Sequence, residues 1–302
     1  MVLAAAGRRL TARRAADLVL VGTNLVYASS YVATRLTLDA VPPATLALVR
    51  CIIAAALLLA LARSTPFLVP LTRGDHARVA VMGVLGFGAA FALSHTGLLL
   101  STAANGALLI VVEPVTIILL APLMLGERLG RRESAGGALA LAGAVLVVLN
   151  GIPGVTAEIV PRWRGDLLLI AAGVAYAAYS LVGRAVLRRH PSLPVTALSV
   201  VWGVAALGPL AALEWWTGAR PLWSASAAAG TLYLGIVITA LGYLAWNWAL
   251  AHVPAPRAAI FLNVQPVAGA LLGVLVLGEP FTVFTVAGGG LIVGGLWLTA
   301  KR

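Results

Sequence analysis

The sequence predicts an all-α membrane protein of ten transmembrane helices in two inverted five-helix repeats. Three observations carry this prediction. The 302-residue chain is 61% hydrophobic and only 10% charged, with a mean hydropathy of +1.00, whereas soluble domains carry about 25% charged residues. Apolar runs of roughly 20 residues recur, each long enough as a helix to cross about 30 Å of hydrocarbon. Marks in the first half of the chain also return in the second half at a fixed offset. No period-two alternation is present, which points away from an outer-membrane barrel.

The predicted spans are 17–35, 44–62, 78–96, 102–124, 134–150, 166–186, 195–213, 223–246, 255–277 and 282–299. Arg8, Arg9, Arg13 and Arg14 precede an apolar run of full membrane length that no small-residue cleavage site closes. This run is expected to remain as the first helix rather than to be removed as a targeting peptide. Short connectors around Gly97–Ser101 and Ala251–Pro254 divide the third span from the fourth and the eighth from the ninth. Pro42, Pro43, Pro194, Pro221, Pro254 and Pro280 lie near span boundaries, where a missing backbone donor is tolerated in a first helical turn. Cys51, the single cysteine, has no partner for an intrachain disulfide and reads as a small packing residue.

The net charge of +11 would suggest nucleic acid as a partner in a soluble chain. Here the bases cluster between apolar spans, and no zinc-finger spacing, phosphate loop or extended basic tract accompanies them. With a cytoplasmic N-terminus, Arg63, Arg73, Arg78, Arg128, Arg131, Arg132, Arg184, Arg188, Arg189, Arg257, Lys301 and Arg302 share its side. Only Arg35, Arg162, Arg164 and Arg220 face the other side, while Arg50 lies inside the second span. That asymmetry predicts both termini inside and an even span count. Trp163, Trp215, Trp216 and Trp223 near outer boundaries, and Trp248 and Trp297 near inner ones, agree with it.

The repeat is read from Glu113-Pro114 followed by Leu125-Gly126-Glu127, and Gln265-Pro266 followed by Leu277-Gly278-Glu279, at an offset of 152. In that register His95 meets Asn247, Phe91 meets Tyr243, Gly83 meets Gly235, and Gly136-Gly137 meets Gly288-Gly289. At an offset of 149, Asp17, Tyr27 and Arg35 meet Asp166, Tyr176 and Arg184. The expected repeats are 17–150 and 166–299. Five helices per copy, an odd number, turn the second copy upside down, an arrangement common among secondary transporters.

Several polar and aromatic residues are candidates either for a central passage or for helix-interface packing. Asn24, Tyr27 and Tyr31 share one side of the first helix, and Tyr176, with Tyr179 nearby, occupies the repeat position of Tyr27. Tyr243, Trp202, His95, Asn105, Asn263 and Gln265 join them. Arg50 lies too deep to reach an interface easily, so it needs a wet cavity, a substrate anion or a paired carboxylate. Glu113 precedes Pro114, whose missing N–H opens the helix locally; its carboxyl could couple protons or neutralise Arg50. Pro114, Glu127, Pro266 and Glu279 read as structural or gate residues, the two glutamates organising the turns that follow them. No His, Cys and carboxylate cluster has metal-ligand spacing, and neither a cofactor nor a catalytic constellation is expected.

Pro42-Pro43 with Arg50, Glu113-Pro114 through Leu125-Gly126-Glu127-Arg128-Leu129, and Gln265-Pro266 through Leu277-Gly278-Glu279-Pro280 together resemble the ten-helix EamA-type branch of the drug/metabolite transporter superfamily. The resemblance runs from about Asp17 to Leu298. It implies an alternating-access exporter of small metabolites, with amino acids or related compounds the leading class, often driven by protons. The Trp-Gly pair common in helix 1 of the family is replaced here by Tyr27-Ala28. A broad efflux permease for amphipathic organic compounds and a non-transporting scaffold or receptor stay open as alternatives. The expected setting is a prokaryotic plasma membrane, with lipids and a small-molecule substrate as partners and no nucleic acid.

Overall fold

In the computed structural model, residues 2–64, 70–125, 131–149, 162–262, 264–279 and 282–300 are described, and every regular element among them is helical. They form ten helical spans. α1 is Val2–Leu38, α2 Pro43–Ala62 and α3 Arg73–Leu100; α4 joins Ala103–Leu109 to Val112–Leu125, and α5 is Arg131–Leu149. α6 is Trp163–Leu187, α7 Ser192–Trp216 and α8 Ala225–His252; α9 joins Ala255–Phe261 to Val264–Leu277, and α10 is Val283–Ala300.

Six of these helices are long and apolar enough to cross a membrane, and the apolar stretches Ala135–Val147, Val264–Leu277 and Val283–Gly295 are shorter. Leu18, Leu25, Ile52, Leu59, Leu213 and Leu275 face outward, the surface that hydrocarbon rather than water accommodates. The molecule is an integral membrane protein. Several spans run further than predicted, among them α1, which begins at Val2 rather than 17, α3, which covers Arg73–Leu100 rather than 78–96, and α8, which ends at His252 rather than 246. Intrahelical bonds satisfy the backbone beyond the apolar stretch, so hydropathy marks the hydrocarbon crossing and not the helix end.

Glycines set the closest helix crossings. A Cβ at Gly143 of α5 would lie 2.5 Å from the Gly288 carbonyl of α10, and one at Gly295 would lie 2.4 Å from the Gly136 carbonyl. Only glycine lets these two backbones approach so far. α3 and α8 each contain a π-helical stretch, Gly83–Ala89 and Leu234–Gly242. Gly83 packs against Ser199 of α7, and Gly235 packs against Arg50 and Ile53 of α2. A π turn displaces one residue from the helical ladder, and such turns are frequent at functional sites.

Carboxylates tie helix ends together. Glu214, near the end of α7, accepts from the Ala44 and Thr45 backbone N–H groups at 2.7 and 2.8 Å and from the Thr45 hydroxyl at 2.9 Å. Glu279 follows Gly278, whose φ of +64° ends α9 in the left-handed region. Its two oxygens each accept an N–H at 2.7 Å, from Ala103 and Ala104 at the start of α4. These carboxylates satisfy donors that a helix N-terminus leaves unpaired. Glu279 therefore organises the start of a helix from the other half of the chain; the turn that follows it lies outside the described residues. The expectation for Glu127 lies outside the described residues. At the opposite end of α3, Asp75 accepts from Arg78 at 3.2 Å and Arg189 at 2.6 Å and faces His190 at 3.3 Å.

Candidate functional site

The helix breaks inside α4 and α9 shape the middle of the protein. Pro114 has no N–H to give to residue 110, and Pro266 none to give to residue 262. The Glu113 N–H bonds the Ile110 carbonyl at 2.8 Å, and the Gln265 N–H bonds the Leu262 carbonyl at 3.0 Å. Both are tight three-residue turns, and both leave a polar side chain facing a central cavity.

That cavity is lined from α1, α2, α3, α4, α6, α8 and α9. Its volume, measured to the centre of a water-sized sphere, is about 80 Å³. A single water needs roughly 10–15 Å³ on that measure, so the space suits a small metabolite. Of the residues picked out in the sequence, Tyr27, Tyr31, Arg50, His95, Glu113, Tyr176, Tyr179, Tyr243 and Gln265 line it. Asn24 stands directly behind: its carbonyl accepts from Gln265 Nε2 at 2.6 Å, and its own amide donates to the Leu20 carbonyl at 2.7 Å. Tyr31 donates to Gln265 Oε1 at 3.0 Å, so the Gln265 amide is bound at both ends.

Arg50 is 3% exposed, yet no carboxylate among the described residues lies within ion-pair distance of it. The alternative in which Glu113 neutralises Arg50 as an ion pair is therefore not the arrangement seen. Its Nε donates to Thr239 Oγ1 at 2.8 Å, its Nη1 bonds His95 Nε2 at 3.1 Å, and its Cζ sits 4.2 Å over the Phe91 ring. The Thr239 hydroxyl donates in turn to the Leu234 carbonyl five residues back, within the π turn. His95 Nδ1 lies 3.1 Å from the Pro43 carbonyl. A guanidinium only donates and a carbonyl only accepts, so one form satisfies both contacts: neutral imidazole with its proton on Nδ1.

Rings form the rest of the wall. Tyr243 is the hub, with centroids 5.6 Å from Tyr27, 4.7 Å from Phe87, 5.9 Å from Phe91 and 5.7 Å from Tyr179. The Tyr27 hydroxyl is buried without a hydrogen-bond partner among the described residues. Glu113 is buried beside Ser180 of α6.

Other candidates fall elsewhere. Asn105 points away from the cavity, its amide 3.3 Å from both oxygens of Asp166, which also accepts from the Ser101 hydroxyl. Trp202 does not line the cavity. It is 36% exposed on α7 and meets the His76 ring edge-on at 6.5 Å, because the helix turns it toward the membrane-facing side. Asn263 lies outside the described residues. Asn247, the repeat counterpart of His95, is fully buried and donates to Tyr179 at 2.6 Å and Thr196 at 2.8 Å. Ser94 and Trp246 were missed as wall residues, and Thr239 as the hydroxyl that holds Arg50. Thr239 sits 189 residues from Arg50, and its sequence neighbours are apolar, so no local signal marks it.

Comparison with known proteins places this geometry in a family. The profile of the EamA-like transporter family matches twice, over residues 14–149 and 163–301. A "probable terminal-alkyne amino-acid exporter" of Streptantibioticus cattleyicolor is 29% identical over 284 residues, covering 94% of this chain and 92% of that protein. An uncharacterized transporter of Archaeoglobus fulgidus is 28% identical over 288 residues, covering 94% and 97%. One solved crystal structure superposes with a TM-score of 0.68 at 23% identity, over 95% of this chain and 96% of the other, a likeness of fold alone. With its helices, central cavity and both halves matched, the chain belongs to the EamA-like transporter family and its role is transport.

Proposed function

We propose that the protein is a secondary transporter that exports small metabolites, with amino acids or related compounds the leading class, by alternating access through the central cavity. The carrying observation is the cavity itself, which unites Arg50, His95, Glu113 and Gln265 from four helices of both halves of the chain. Similarity to a relative named as an amino-acid exporter supports that cargo class. The aromatic lining favours a second reading, broad efflux of amphipathic organic compounds.

On this reading the two halves are inverted repeats with both termini cytoplasmic in a plasma membrane. The paired contacts support it: Gly143 on Gly288 is matched by Gly295 on Gly136, each partner displaced by 152 residues. The π turns start at Gly83 and next to Gly235, again 152 apart, and their contacts, Ser199 and Arg50, are 149 apart. Two mirror-related halves provide two equivalent conformations, one open to each side. Glu113 is the proposed proton-coupling carboxylate.

Direction-resolved flux in proteoliposomes tests the proposal. Cargo is expected to accumulate against its gradient when a proton gradient is imposed, in the direction corresponding to export. Binding without flux of any metabolite would favour a receptor and sink the reading. Single cysteines introduced in the Cys51→Ser background test orientation, with 184–190 expected to be accessible only from the cytoplasm.

A further inference from the structure

The central cavity holds a cation that has no counter-charge within ion-pair distance among the described residues. Arg50 lies in the apolar part of α2, 3% exposed, where an uncompensated charge is costly. Two of its nitrogens are fixed by neutral partners, Thr239 at 2.8 Å and His95 at 3.1 Å, and one face is covered by Phe91. None of these three neutralises it. Nη2 makes no hydrogen bond with any described residue, although Arg50 lines the cavity. Each fixing partner is itself held: Thr239 by the Leu234 carbonyl, His95 by the Pro43 carbonyl. The guanidinium is thus aimed before any ligand arrives, with one donor edge left over.

We propose that this edge of Arg50 is the docking point for the carboxylate of the cargo, so that the transporter selects small molecules bearing a carboxylate. This deepens the export reading of the same cavity and rests on it. A carboxylate is planar and singly charged, matching a guanidinium with a free edge. The space of about 80 Å³ leaves room for a short side chain against the rings. Thr239 and His95 act as positioning residues, and the Tyr27 hydroxyl, buried without a partner among the described residues, is a second polar contact available to the same ligand.

The test alters the ligand before the protein, so no variant has to fold. Purified protein is titrated with the L-amino acids, their α-carboxamides and the matching decarboxylated amines, with binding read as thermal stabilisation. Those amino acids that bind are expected to lose roughly 10- to 100-fold in affinity as carboxamides, the scale of a charge-assisted hydrogen bond. Arg50→Gln is expected to bind acid and amide alike, and Arg50→Lys to keep part of the preference. Equal affinity of the wild type for acid and amide, or binding of no member of the panel, overturns the carboxylate site. Flux of the bound acids in proteoliposomes is measured separately. Acids that bind with the predicted preference but are not carried support the site and defeat the export reading instead.

Discussion

Glu113 in α4 and Gln265 in α9 occupy the same place in the two halves of the chain, and the difference between them shows what the halves share and what they do not. Both precede a proline, both close a three-residue turn, and both line the cavity. Backbone geometry is therefore common to the two. Their chemistry is not. The Gln265 amide is held by Asn24 on its donor side and Tyr31 on its acceptor side, and its charge cannot change. Glu113 lies beside Ser180 and carries a carboxyl, the titratable counterpart of the Gln265 amide. On the proposed reading, the two similar halves move and the one dissimilar residue couples that movement to an ion.

The largest expected effect comes from erasing that difference. Glu113→Gln keeps the shape and removes the titration, and proton-driven accumulation is expected to fall to background while exchange of cargo down its gradient persists. Reconstituted wild type and variant, compared with and without an imposed proton gradient at equal folded amounts, decide it. Unchanged accumulation in the variant would falsify the coupling role. Equal loss of exchange and accumulation would point to a ligand-binding or structural role.

Much of this comparison was legible in the sequence because its causes are local. A proline without an N–H, a polar residue before it and a glycine-glutamate turn thirteen residues later are read within one span, and their recurrence exposes the two halves. Helical spacing put Asn24, Tyr27 and Tyr31 on one side of the first helix, and the two tyrosines line the cavity. What escaped depends on contacts between distant helices. Thr239 is joined to Arg50 only through the α2–α8 crossing at Gly235, and Glu279 serves α4 across 176 residues. For Trp202 the sequence left cavity and helix packing open, and its rotation about α7 is set by packing against α3, where Gly83 approaches its Cβ.

Arg50 sharpens the same contrast, since it lines the same cavity but makes no ion pair with Glu113. Arg50→Ala is expected to lower flux by roughly 10- to 100-fold, because both a charge-assisted contact and the positioning network are lost. Arg63→Ala, at the exposed end of α2, is expected to stay within about twofold, as a snorkelling side chain would. Normal flux through Arg50→Ala over the whole substrate range would remove Arg50 from the working cavity.

Gln265→Leu tests the fixed half. It leaves the Asn24 carbonyl and the Tyr31 hydroxyl without their partner, and each such buried polar group costs about 1–3 kcal/mol. The melting temperature should drop while proton dependence of the remaining flux stays as in wild type. Loss of proton dependence without loss of stability would mean that Gln265 shares the coupling role.

The smallest expected effect is a null one, obtained by exchanging the two residues. If coupling needed only a carboxyl anywhere on the cavity wall, Glu113→Gln combined with Gln265→Glu would restore accumulation, since the backbone turns at the two positions match. The surroundings argue otherwise. At position 265 the side chain must donate to the Asn24 carbonyl and accept from Tyr31. A carboxyl can do both only while it keeps its proton, because a carboxylate has nothing to donate. Rotating the Asn24 amide to offer a donor would give up its bond to the Leu20 carbonyl. The introduced acid is therefore expected to stay protonated, and the double variant to accumulate cargo no better than Glu113→Gln alone. Reconstituted flux under an imposed proton gradient measures this directly. Recovery to near wild-type accumulation would show that the two halves are interchangeable in chemistry as well as in backbone, and that Asn24 and Tyr31 do not fix the state of their partner.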